Sequence, residues 1–592
     1  MSAVLQAPPG AGKTTRVPLL LREASWLGDQ RVVMLEPRRV AARSAATRLA
    51  ELLGTHVGGV VGYRMRDDTK VGPQTRIEVV TEGVLTNMLQ TDPSLSDVGV
   101  VIFDEFHERS IHADLGLALC IEVQSALRPE LRILVMSATL EGSRLAQLLD
   151  QAPVVQSEGF SHVVTTEYRP RVSDMALETH LATVVSEIWS DHDTDVLAFL
   201  PGARWIERAG QQLRTQLGHE ALITPLFSAL PAADQEVALR PDPRGQRKVI
   251  LATDIAETSL TIEGVGVVVD SGRRRAPRLD SRTGLTRLET VRVSRASADQ
   301  RRGRAGRLGP GACYRLWDES ENRHLEAFEK PEILSVDLSA LQLQLACWGA
   351  SATELRWLDS PPAHLLNESA KLLRSLGAMD DDDRPTPHGQ AMRNLGVEPR
   401  LAHMLLRAAE TGRGALGCEL AALLTSRVTS NPDSADITDR VRAMRNDTRH
   451  SGSAQGRARA EARRLASRLG VEWKQHQVEA AGPLLAMAYP DRIGLKRNDS
   501  DAYLLSSGRG AALRPSESLV GSELLVVPDV DGDPARSVIR LAAALDRFQL
   551  EEALGSLFER TRVIEWDPST KSIAAELRTT LGAVVLKREP ID

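Results

Sequence analysis

The chain is 592 residues long, 42% hydrophobic and 26% charged, with a formal net charge of −6. That length calls for about three to five domains, and the negative balance excludes a polycation, so any nucleic-acid partner must meet a local basic surface. Cys120, Cys313, Cys347 and Cys418 are widely spaced and form no CxxC pair, which argues against a zinc or disulfide framework and for a reducing, cytoplasmic setting. No apolar run approaches the ~18 residues of a membrane span, and MSAVLQAPPGAGKT lacks the basic start and long apolar core of a signal peptide.

In chain order, short β-branched runs alternate with helical stretches. "SAVLQA" predicts a strand and "GKTTRVPLLLREA" a helix; "RVVMLEP" a strand and "RVAARSAATRLAELLG" a helix; "RIEVVT" a strand and "EGVLTNMLQ" a helix; then come "VGVVIFDE" and "LRILVMSATL". Near-continuous apolar strands separated by helices predict a parallel sheet covered on both faces. After a break near residues 152 to 160 the pattern restarts with "DVLAFLPG", "RKVILATD" and "GVGVVVDSG", so two α/β domains in tandem are expected. From about 325 to 485 helical patterns take over. The tail returns to strands in "AYLLSS", "ELLVVPDV", "SVIRLAAAL" and "GAVVLKR".

The first strand runs into Ala7-Pro8-Pro9-Gly10-Ala11-Gly12-Lys13-Thr14-Thr15. Small residues let backbone N–H groups wrap a polyphosphate, and the following helix points its positive end at the anion. Lys13 reaches the outer phosphates and the Thr14 hydroxyl ligates Mg²⁺. Ala7 stands where G-x-x-x-x-G-K-[ST] asks for its first glycine. Downstream, Val100-Val101-Ile102-Phe103 ends abruptly in Asp104-Glu105. Beside a phosphate loop, Asp104 is expected to hold Mg²⁺ and Glu105 to orient and deprotonate the attacking water.

With these, the motifs in order resemble the DEAH-box group of superfamily 2 helicases. They are DEFH (Asp104 to His107, with Phe106 in place of alanine), "EPRRVAA" (Glu36 to Ala42), "TEGVL" (Thr81 to Leu85), "SAT" (Ser137 to Thr139), "AFLPG" (Ala198 to Gly202), "ATDIAETSLTI" (Ala252 to Ile262) and "QRRGRAGR" (Gln300 to Arg307). "AYPDRIG" (Ala488 to Gly494) and "SRASADQRRGRAGR" look most like the bacterial HrpB branch. The resemblance implies an ATP- and Mg²⁺-dependent helicase or translocase on single-stranded or tailed nucleic acid, RNA rather than DNA, acting as a monomer. A DNA-directed motor and an ATP-gated clamp without strand separation remain the alternatives.

The resemblance also implies particular roles. His107 faces a cleft between two domains and links nucleotide state to the SAT motif. Arg304 and Arg307, three apart and on one face if helical, neutralise the γ-phosphate across the domain cleft, while Gln300 holds the water or a γ-oxygen. Residues 270 to 315 carry 13 Arg against four acids, a local anion-binding surface in an acidic chain. Arg48 stacks on the base, opposite Leu239, where an aromatic partner is missing. Arg38, Arg39, Arg66, Thr81 and Thr258 contact the nucleic-acid backbone, and "RRRAPRLDSRTGLTRLETV" forms a hairpin wedge turning at Ser281 to Gly284. The expected layout is a first RecA-like ATP-binding domain over 1–155 and a second over 156–320. A degenerate winged-helix region over 321–395, a helical bundle over 396–485 with an arginine-rich stretch, and an OB-like β domain over 486–592 complete it. Relatives in this branch carry a further C-terminal domain and a slightly longer start.

Overall fold

The computed structural model describes the chain except for residues 9, 67, 139–141, 159–161, 173, 258–261, 281–284, 427–433, 447–452, 475–477, 498–500, 516, 531–536, 568–571 and 592. Its described residues fall into two compact units, the first running to Asp337 and including Ser351–Pro362, the second holding the remainder.

The first unit contains two α/β sheets. Strands β1 (Ser2–Gln6), β2 (Arg31–Glu36), β3 (Val61–Met65), β4 (Asp68–Lys70), β5 (Ile77–Thr81), β6 (Val98–Phe103), β7 (Arg132–Ser137) and β8 (Val154–Gln156) form one sheet in the order β4-β3-β5-β2-β6-β7-β1-β8. All its pairings are parallel except that of β3 with β4. β6 is buried along its whole length, as an uninterrupted apolar run requires when helices cover both faces. Gly99 in it is forced by packing, since a Cβ there would sit 2.6 Å from Leu27 Cδ1. Helices α1 (Lys13–Arg22), α2 (Arg39–Leu52), α3 (Glu82–Thr91) and α4 (Ile111–Ala126) follow β1, β2, β5 and β6. β5, β2 and β6 are neighbours and β1 lies one strand beyond β6, across β7, so the segments after these strands emerge on the same carboxyl edge, where ligands bind in open α/β sheets.

The second sheet comprises β9 (Val164–Tyr168), β10 (Asp195–Phe199), β11 (Leu222–Leu226), β12 (Lys248–Ala252), β13 (Val265–Asp270) and β16 (Gly311–Arg315), all parallel, in the order β11-β12-β10-β13-β16-β9. Between its last two strands in sequence, β14 (Arg273–Asp280) and β15 (Leu285–Arg292) pair antiparallel from Arg273↔Arg292 to Asp280↔Leu285. The expected turn at Ser281 to Gly284 lies outside the described residues. Two RecA-like parallel sheets in tandem are thus present. β3, β4, β8, β9, β11 and β16 are strands the sequence pattern does not announce, and β8 falls inside the expected break, where it pairs with β1.

In the second unit, helices from Ser339–Trp348 to Ala481–Ala488 surround a core that includes Leu405, Leu416, Leu420, Ile437, Leu465 and Leu485. An antiparallel sheet follows, in the order β19-β18-β17-β20-β21, from β17 (Ile493–Lys496), β18 (Ala502–Leu505), β19 (Gly510–Ala512), β20 (Leu524–Val530) and β21 (Ile539–Leu545). A three-stranded sheet of β22 (Glu559–Asp567), β23 (Ser572–Leu581) and β24 (Val584–Pro590) closes the chain. The helical region and β-rich tail match the expected fold class. β22 and β23 escaped the sequence reading because Ile564, Trp566 and Ile573 are exposed, so no buried-face alternation announces them. Among the described residues no helix is long and apolar enough to cross a membrane.

Candidate active site

The loop between β1 and α1 closes on itself. Gly10 and Gly12 have φ of 87° and 81°, a left-handed conformation that glycine adopts without strain. Ala7 is not among the positive-φ residues, so replacing a glycine there carries no backbone penalty, and its carbonyl accepts a 2.9 Å bond from Lys13 Nζ. Lys13 and Thr14 open α1, so Thr15, Ala11 and the neighbouring amides stand at its positive end. Thr14 Oγ1 donates to Asp104 Oδ2 at 2.5 Å, and Lys13 Nζ lies 3.8 Å from Glu105 Oε2.

Asp104 and Glu105 follow β6, and both are buried. Burial, then the Glu105 charge, raises Asp104 to about 6 against the pull of Lys13 and the Thr14 hydroxyl. Burial also opposes the Glu105 charge, but Lys13, His107, Arg304 and Arg307 outweigh it and hold Glu105 below the ordinary carboxylate value. A third carboxyl, Glu36 at the end of β2, went unread in the sequence. It is fully buried, and burial followed by Asp104 and Glu105 drives its pKa well up. The signal was there in a charged residue ending the apolar run "RVVML", one strand away from the DE pair. Glu36, Asp104 and Glu105 thus concentrate buried carboxyls at the ends of two neighbouring strands.

The turn after Glu105 is strained. Glu105 and Arg109 have φ of 46° and 50° and bracket a single 3₁₀ turn, Phe106–Glu108. Side chains of this size seldom occupy that region, and where they do the surrounding structure holds them there. Phe106 is buried edge-on to Phe103, with ring centroids 6.1 Å apart. His107 Nδ1 lies 3.4 Å from Glu105 Oε2 and accepts from Ala138 N at 3.5 Å, so it sits between the candidate base and the SAT segment. Thr139 lies outside the described residues.

The second sheet supplies the cations. Helix Arg295–Gly303 ends before Arg304, so Arg304 and Arg307 stand on the turn after the helix and not on one helical face, as the three-residue spacing had suggested. Gln300 is half-buried on the last turns of that helix. Arg301, 1% exposed, donates to Glu257 at 2.9 Å and to Asp270 at 2.8 Å. Arg304 Nε donates to the Glu257 carbonyl at 2.9 Å. Burial and then Arg307 push the Arg304 pKa well down, with Glu105 opposing; burial also lowers Arg307, again against Glu105. The charges of Arg304 and Arg307 thus reach the Glu105 carboxylate of the first sheet.

The remaining expected residues separate. Arg48 lies on the exposed face of α2 beside Glu51, and Leu239 packs against the apolar cluster of the second sheet. Arg39 and Arg66 are exposed, Thr81 ends β5, and Thr258 is outside the described residues. Arg38 turns inward: Nε and Nη2 donate to Glu108 at 3.3 and 3.2 Å, and Nη1 donates to the Asp254 carbonyl at 2.8 Å.

Residues 1–148 match the DEAD/DEAH box helicase family and 179–309 the helicase conserved C-terminal domain. The chain is 42% identical over 591 residues to the ATP-dependent RNA helicase HrpB of Escherichia coli K12, covering 99% of this chain and 71% of that protein. It is 36% identical over 418 residues to the pre-mRNA-splicing factor ATP-dependent RNA helicase prp22 of Schizosaccharomyces pombe, covering 69% of this chain and 36% of that one. The crystal structure of the E. coli DExH-box NTPase HrpB superposes with a TM-score of 0.84 at 41% identity, covering 100% of this chain and 72% of that one. The chain therefore belongs to the HrpB branch of the DEAH-box superfamily 2 ATP-dependent helicases.

Proposed function

We propose that this helicase hydrolyses Mg-ATP at the β1/β6 edge and uses the cycle to move along, or separate, strands of RNA in the cytoplasm. The observation that carries the reading is the convergence of Lys13, Thr14, Asp104 and Glu105 from the first sheet with Arg304 and Arg307 from the second. Its relatives' activity on RNA supports the choice of polymer, and four free cysteines support the reducing setting.

Lys13 and the loop amides bind the outer phosphates, and Arg48 lies against the base. Among the described residues no three His, Cys, Asp or Glu side chains are arranged to hold a metal by themselves. Mg²⁺ uses one or two carboxylates and completes its shell with phosphates and water. The carboxyl-rich pocket fits such an ion, with Thr14 and Asp104 as its protein ligands; when bound, it neutralises charge on the phosphates. Glu105, held ionised by the surrounding cations, accepts the proton of the attacking water. Gln300 positions that water, His107 links the nucleotide site to the SAT and QRRGRAGR motifs, and Arg304 and Arg307 stabilise charge developing on the γ-phosphoryl group. Arg39, Arg66, Thr81 and Thr258 bind the strand backbone, and the β14–β15 hairpin acts as the wedge.

Steady-state ATP hydrolysis with and without matched single-stranded RNA and DNA tests this, alongside strand displacement on tailed duplexes. RNA is expected to stimulate hydrolysis more than DNA. Glu105→Gln should bind ATP normally and lose turnover ~10²–10⁴-fold. Near-normal hydrolysis by Glu105→Gln would sink the catalytic assignment; stimulation by DNA alone, or by neither polymer with no displacement, would replace the RNA motor with a DNA motor or a clamp.

A further inference from the structure

Arg38 and Arg39 are adjacent in sequence and differ in everything else. Arg39 begins α2 and is exposed. Arg38 caps that helix and spends all three guanidinium nitrogens on protein acceptors: Nε and Nη2 on Glu108 of the strained turn, Nη1 on the carbonyl of Asp254, which follows β12. The Asp254 carboxylate stands a further step away, 3.9 Å from Nη2. Burial opposes the Arg38 charge, but Glu108, Asp254 and Glu257 more than offset it and raise its pKa. Two residues on, Val40 packs against the apolar cluster that holds Ile255 and Ala256 of the same second-sheet segment. The start of α2 is therefore docked on the second sheet by one apolar and one ionic contact. Glu257, at the end of that segment, in turn holds Arg301 with its carboxylate and Arg304 with its carbonyl.

We propose that Arg38 is a domain-bridging positioning residue, tying the turn that carries Glu105 to the segment that aims Arg304, and that phosphate contact on this stretch falls to Arg39. Three of the five guanidinium N–H groups are already bonded to protein acceptors, and the Nε/Nη2 edge that would grip a phosphate in bidentate fashion is occupied by Glu108. Its geometry instead couples the two sheets, so nucleotide closure and strand affinity are linked through it. This deepens the RNA-motor reading and rests on it.

The test is a salt titration of labelled single-stranded RNA, with and without a non-hydrolysable ATP analogue, on wild type, Arg38→Ala, Arg38→Lys, Arg39→Ala, Glu108→Gln and the Arg38→Ala/Glu108→Gln double variant. Wild type should show steep salt dependence and a change in affinity on adding the analogue. Arg39→Ala should reduce the log–log salt slope by ~0.7, one phosphate's worth; Arg38→Ala should leave it unchanged. Arg38→Ala and Glu108→Gln should each cut the nucleotide-dependent change at least ~5-fold, with the double variant no worse than either alone. Arg38→Lys keeps the charge but not the fork, so it should lose the nucleotide effect as alanine does and, unlike alanine, tests the point without deleting a charge. A slope reduced in Arg38→Ala, or a nucleotide effect preserved in Arg38→Lys, overturns the proposal while leaving the motor reading intact. A wild type whose RNA binding ignores both salt and nucleotide removes the motor reading and the bridge with it.

Discussion

Glu82 shows how much one buried carboxyl can bias this fold. It opens α3 and accepts a 2.6 Å bond from Ser110 Oγ. Burial, eased by that hydrogen bond and aggravated by Glu108, Glu332 and Asp114, raises its pKa from 4.5 to about 8. Because the folded value lies above the unfolded one, its contribution to stability is fully present below pH ~4.5 and is lost as pH rises through about 8. Glu82→Gln preserves the neutral shape, so the variant's first unfolding transition should depend less on pH between 5 and 8. At ~1.36 kcal/mol per pKa unit the difference is at most ~5 kcal/mol. Thermal melts of both proteins across that range check it; parallel pH profiles would refute the buried neutral carboxyl.

At the scale of elements, the turn after helix Arg295–Gly303 matters more than the helix. Arg304 and Arg307 are held by backbone and burial, and their charge is most useful as negative charge builds on the γ-phosphoryl oxygens. Removing either should lower kcat by ~10³-fold or more with a much smaller change in ATP affinity. Equal losses in both would assign them to ground-state binding. Single-turnover hydrolysis and equilibrium nucleotide binding on Arg304→Ala and Arg307→Ala separate the cases. The sequence made the arginines visible through their spacing in "QRRGRAGR" but not the end of the helix, which lies at a glycine, Gly303, within a run that gives no periodic apolar face.

Across the whole molecule, strong patterns were legible and compensated ones were not. The apolar strands, the phosphate loop and the DE pair stand out because burial and anion binding each demand a narrow set of residue types. Glu82, Asp254 and Glu257 lie inside motifs the sequence shows, but nothing there marks their partners; only the fold brings the Glu257 carboxylate to Arg301 and the Asp254 carbonyl to Arg38. The chain's net charge of −6 and its 4% aromatic content also set how it should meet RNA. Binding through scattered arginines, without a stacking platform, predicts affinity that varies little with base sequence and falls with a log–log salt slope of about −0.7 per phosphate contacted. Titrations on several unrelated single strands measure this, and a strong preference for one sequence at a shallow slope would contradict it.

The left-handed backbone at Glu105 and Arg109 has an evolutionary side. Glycine or asparagine would relax Glu105 by roughly 1 kcal/mol or more, whereas Arg109 is tied down by its buried pairs with Asp114 and Asp359, so relaxing the turn means giving up the proposed base. Directed evolution for heat resistance alone would therefore be drawn toward sequences that have lost Glu105. Only selection on ATP turnover keeps the less comfortable residue in place.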